Sequence, residues 1–196
     1  MIYLGFAAWW RSCTVEGIIS LPNSIPHTPP ILHRRMLTAN DLLFSYRWGV
    51  DTFAKLVSDV ADKDMARQPV EGINHPAWLL GHVGTYHEVI ASLLRGEAFD
   101  NPWDSPCGKN STPSADRSRY PSKEQLLKHH EAAAALACRT IESVKPEAWT
   151  RPMDHPTWGK QFATVAPAVV FLATSHQSLH LGQLSGWRRA MGLPRI

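Results

Sequence analysis

The stretch FLATSHQSLHLGQLSGWRRAMG, residues 171–192, decides how this chain is read. Its apolar positions recur about every 3.6 residues, and Val169, Leu172, His176, His180, Gln183 and Trp187 fall on one stripe. The spacing predicts an amphipathic helix whose buried face carries polar groups. His176 and His180 are four residues apart and leave that face one turn from each other. Buried imidazoles need partners. Such a pair is either half of a metal site or two hydrogen-bonded core histidines, and the spacing alone does not choose.

A second segment, INHPAWLLGHVGTYHEVIASLLRG at residues 73–96, places His82 on the same helical stripe as Trp78, Leu79, Val89 and Leu93. Two helices therefore aim three imidazoles at the core. Three protein ligands with positions left for water or substrate make the open arrangement of a catalytic metal centre, not the closed one of a structural site.

The WLLGH of residues 78–82, followed by SHQSLHLGQL at 175–184 and the trailing WRRAMG at 187–192, resembles the DinB-like superfamily of four-helix bundles. The similarity covers roughly Met36 to Pro194. It implies a metal site made by His82, His176 and His180, holding a divalent ion; zinc, nickel, iron and manganese all suit neutral imidazole ligands. Characterised members of that family include thiol-dependent S-transferases and a mycothiol-dependent maleylpyruvate isomerase. The implied function is a metal-dependent enzyme that activates a thiol or water for attack on a small electrophile, with a low-molecular-weight thiol as the preferred partner. The competing reading is a non-catalytic, stress-related bundle that binds a metal or small molecule through the same ligands. Asn74, Trp78 and Gln183, each within about two turns of a ligand, are expected to support the site or line its opening.

Other chemistries lack their residues. HQSLH has glutamine at 177 where the metalloprotease motif needs a glutamate base. No Glu-x-x-His occurs, which removes a di-iron carboxylate bundle, and no nucleotide-binding glycine loop or GxSxG element is present. A formal charge of +3, spread along the chain, gives no nucleic-acid footprint. Arg188, Arg189 and Arg195 form the densest basic patch and read as a solvated helix end near the negative pole of the helix dipole. The three cysteines, Cys13, Cys107 and Cys138, have no disulfide or zinc spacing and fit a reducing cytoplasm. Cys107, in a loop, reads as a bystander thiol. No run of apolar residues is long enough to span a membrane.

A hydrophobic content of 44% with 19% charged residues suits one globular domain of all-α class. Residues 1–35 include LPNSIPHTPPILHRR, whose four prolines cannot continue a helix; they are expected to be a disordered extension, with the folded domain at 36–196. A first helix is expected over 38–61, capped by Thr38 and burying Leu42, Tyr46, Val50, Phe53, Val57 and Val60. The second starts at Asn74 or His75 with Pro76 in its first turn and stops at Gly96. His130 falls on the apolar side of a third helix over 122–144, which opens with Ser122 and Gln125 in capping-box register. His87, five residues after His82, is expected at the surface or behind the ligands. The last helix starts at Thr164 and ends near Gly192. The four helices are expected to pack antiparallel, with the aperiodic residues 97–121 as a long connection between the second and third. Residues 145–161 read as an irregular link, and an exposed apolar side on one of the longer helices offers a homodimer surface.

Overall fold

The computed structural model describes residues 38–99, 104–155 and 158–196, with Met36–Ile196 forming one compact unit. The extension expected at residues 1–35 lies outside the described residues. No strand occurs among them, only an isolated antiparallel bridge between Pro152 and Thr164, so the all-α expectation holds.

Helix α1 (Ala39–Val57) begins at a complete capping box: the Thr38 hydroxyl accepts from the Asp41 N–H and the Asp41 carboxylate accepts from the Thr38 N–H. It stops earlier than expected, although Val60 remains 3% exposed beyond its end. Helix α2 (Pro76–Arg95) has His75 as its N-cap and Pro76 in the first turn, where a missing N–H costs nothing. It ends on Gly96 with φ 74°, a left-handed cap that a β-carbon would strain. A four-residue helix α3 (Asp104–Cys107) lies in the long connection. Helix α4 (Lys123–Ser143) carries the Ser122–Gln125 capping box, and a short α5 (Pro146–Thr150) stands in the link expected to be irregular. The last helix is α6 (Val165–Phe171), a π-helical turn over Leu172–His176, and α7 (Gln177–Ala190).

The helices are not all antiparallel neighbours. The start of α4 lies beside the start of α2, with the Tyr120 ring 5.0 Å from His75. Further along, His130 of α4 meets His87 of α2. The pair runs parallel and makes the most extensive helix contact among the described residues. Parallel neighbours need a connection as long as themselves, which is what residues 97–121 provide. Ser111 accepts from the Trp78 indole at 2.8 Å, and Arg117 ties to Asp62 at 2.7 Å, so the connection returns along α2 to its starting end. The last helix runs with α1, since Arg188 reaches Leu56 and Asp59, and against α2, since His176 meets Tyr86 and His180 meets Trp78. The order is up, down, down, up.

Three side chains are more buried than expected, and of these Cys107 still bears out its reading as a bystander thiol. Arg188, read as a solvated helix end, is 2% exposed. Its guanidinium donates to both carboxylate oxygens of Asp59, one at 2.9 Å, and to the carbonyls of Leu56 at 2.7 Å and Pro194 at 2.9 Å. The chain after α7 folds back over it. His87, expected at the surface or behind the ligands, is 1% exposed because α2 is buried on almost every side. Cys107 is fully buried, and burial pushes its thiol up to about 12, which suits an inert packing group and not a nucleophile. On the outer face of α1, Phe44 and Trp48 are 76% and 64% exposed.

Candidate metal centre

The three histidines expected from sequence converge. Their rings lie 4.5 to 5.3 Å apart between centroids, and one ligand atom from each falls within 4.8 Å of the others. The π-helical turn contributes to this. An ideal helix would carry the stripe from Leu172 directly to His176, but the wider turn brings Gln177 into the buried position, over Gly49 of α1. His176 is left half-buried and facing α2, where its ring lies 4.3 Å from Tyr86. Such turns recur where a helix must aim a functional side chain.

Two of the three imidazoles have their tautomer fixed by a neighbour. His82 Nδ1 lies 2.7 Å from the Cys107 carbonyl, which only accepts, so Nδ1 carries the proton and Nε2 is bare. His180 Nδ1 lies 2.8 Å from the Gln183 side-chain oxygen, and the Asn74 amide donates to that same oxygen at 2.9 Å. Two donors on one oxygen fix the Gln183 amide, and His180 Nε2 is likewise bare. It faces His176 Nε2 at 3.2 Å. His176 has no comparable lock, since its buried Nδ1 is without a partner. Trp78 stacks on His82 with centroids 4.4 Å apart and planes at 15°, holding the ring on one side.

Burial disfavours the cation at each ring, with the neighbouring imidazoles adding repulsion at His82 and His176. His82 is lowered to about 3 and His176 to about 2, and His180 is lowered mainly by burial. All three are neutral near pH 7, the form that binds a metal. The cluster contains no carboxylate, so a divalent ion held there would keep its full charge. Bare nitrogens oriented by second partners fit a metal ion.

The three histidines that cluster, and Asn74, Trp78 and Gln183 beside them, were legible in the sequence, whereas two neighbours were not. Tyr86 contacts both His82 and His176, at 4.9 and 4.3 Å; its place four residues after His82 was the available signal. The Cys107 carbonyl is main chain and leaves no trace in composition. Its approach depends on Gly81, where an added β-carbon would lie 2.5 Å from the Cys107 sulfur. Gly81→Ala is therefore expected to push α3 outward, release His82 and weaken zinc affinity by roughly tenfold or more, the usual scale for losing a second partner. Competition with a chromophoric chelator measures it, and unchanged affinity would mean that the carbonyl does not orient the ligand.

A family model described as the DinB superfamily matches residues 45–184. The fold is similar to that in the crystal structure of a conserved protein of a locus from Enterococcus faecalis, with a TM-score of 0.61 and 18% identity over 80% of this chain and 99% of that one. No curated protein matches the chain.

Proposed function

Because this chain belongs to the DinB superfamily, we propose that it is a metal-dependent enzyme in which His82, His176 and His180 hold a divalent ion and a thiol or water attacks a small electrophile. The preferred reaction is S-transfer from a low-molecular-weight thiol. The observation that carries the metal reading is the pair of hydrogen bonds from His82 to the Cys107 carbonyl and from His180 to Gln183, which bare two nitrogens toward one point. A pair of merely structural histidines has no need of such matched orientation.

When bound, the ion supplies Lewis-acid chemistry, lowering the pKa of a ligated thiol or water and polarising a carbonyl. The chain's own residues prepare the place. Burial keeps the imidazoles neutral, Asn74 and Gln183 hold His180, and Trp78 and Tyr86 shield the rings from bulk water.

Zinc-loaded protein assayed against a panel of thiols and small electrophiles is expected to turn over at least one pair. His180→Ala should lose roughly a hundredfold or more of that rate with its helical circular dichroism unchanged. A fully metal-loaded wild type inert across the panel would contradict the enzyme reading and leave a metal-binding bundle.

A further inference from the structure

The stripe of α2 that carries His82 continues through Tyr86, Val89 and Leu93. These positions are spaced for burial in a core, yet the structure leaves them half-buried and facing a cavity of about 320 Å³. That volume is at the lower end of ordinary small-molecule pockets. Phe99 and Trp158 complete its apolar walls, while Glu97, Lys109 and Asp154 stand exposed at its rim. Its wall is continuous with the metal centre through one residue, because Tyr86 lines the cavity and also contacts His82 and His176.

The aromatic walls have a definite geometry. The Tyr86 and Trp158 rings are parallel within 2°, with centroids 6.2 Å apart. Stacked in parallel, the two rings share one facial direction and give the cavity aromatic walls. Flat surfaces favour planar unsaturated groups, which stack across their whole area, whereas a puckered saturated ring touches only in part. The charged groups at the rim remain in water, so the polar end of a ligand finds its place outward and the apolar body inward.

We propose that this cavity binds the planar, unsaturated body of the electrophilic substrate, stacked on Tyr86 and Trp158 beside the metal ligands. The proposal rests on the metal-dependent reading above and adds the class of molecule: a small aromatic or conjugated compound with a polar end.

The test uses full-length, zinc-loaded protein and two probes of one skeleton, 2-naphthalenemethanol and its fully saturated decahydro analogue, titrated calorimetrically. The aromatic probe is expected to bind roughly fivefold or more tightly than the saturated one, the scale of an aromatic pair beyond its buried area. Val89→Trp, which fills the cavity, and Trp158→Ala, which removes one of its aromatic walls, should each weaken the aromatic probe by roughly fivefold or more. Zinc is quantified in the same samples. Equal binding of the two probes, or binding untouched by either substitution, overturns the proposal, and so does a zinc-loaded wild type that binds neither probe. If Val89→Trp does not fold, Trp158→Ala decides. Protein that binds the aromatic probe but holds no zinc keeps the cavity and removes the metal reading instead.

Discussion

Arg188→Ala lowers the stability of the fold by about 2–4 kcal/mol, the sum expected for a buried carbonyl stripped of its donor and for a vacated buried side chain. The guanidinium is 2% exposed and holds together α1, the turn after it and the returning C-terminal segment through Leu56, Asp59 and Pro194. Asp59 is 40% exposed, so its charge is recovered by water once the arginine is gone, and the ion pair itself contributes little to the loss. The buried Leu56 carbonyl is what remains unsatisfied, since Pro194 is exposed and its carbonyl is open to water. Arg188→Lys keeps a charge but not the planar fork and should recover only part of the difference. Urea denaturation of the three proteins measures this; a change below about 1 kcal/mol for Arg188→Ala would show the cluster to be ornamental.

Acid is expected to destabilise the protein well before its carboxylates titrate. His87 and His130 form one directed chain. The Val50 carbonyl lies 3.4 Å from His130 Nε2 and only accepts, so His130 Nδ1 is bare and accepts from His87 Nε2 at 3.2 Å. His87 Nδ1 then accepts from the Tyr46 hydroxyl at 2.7 Å. Every polar atom is used with both rings neutral, and a further proton has no place. Burial holds His87 well below the ordinary 6.5, with His130, His129 and His176 adding repulsion, and burial lowers His130 to about 4. The unfolded chain takes up protons below 6.5 that both folded rings refuse, His130 until near 4. The associated stability is therefore complete above 6.5 and is lost as the pH falls through that window. Each such imidazole contributes a slope of about 1.4 kcal/mol per pH unit. In metal-free protein, urea midpoints should fall steeply from pH 7 to pH 5. His87→Leu/His130→Leu should show a shallower fall by about two protons, whatever its stability at pH 7. Parallel pH profiles for the two proteins would contradict the neutral chain.

Much of this was legible in the sequence because it is local. Thr38 with Asp41, Ser122 with Gln125, and Pro76 with Gly96 each satisfy a helix end within a few residues, so their signals sit side by side in the chain. The three clustered histidines were legible because helical periodicity fixes which side chains share a face. The parallel pairing of α2 and α4 was not, since the residues that dictate it, 97–121, have no period and act through contacts such as Ser111 with Trp78. The surface alternative for His87 fails because an angular offset from His82 implies exposure only on a helix with a solvent face, and α2 has almost none. Arg188 looks like a dipole-facing surface residue until the chain after α7 folds back, Leu193 donating its N–H to the Arg188 carbonyl at 3.0 Å.

His82, His176 and His180 are either metal ligands or core histidines, and metal content separates the two. It is measured by inductively coupled plasma mass spectrometry on tag-free wild type beside His82→Ala/His180→Ala. About one equivalent of divalent metal is expected in the wild type and none in the double variant, since that variant lacks two of the three proposed ligands. A wild type that stays empty after reconstitution with zinc, nickel, manganese and iron would contradict the metal reading.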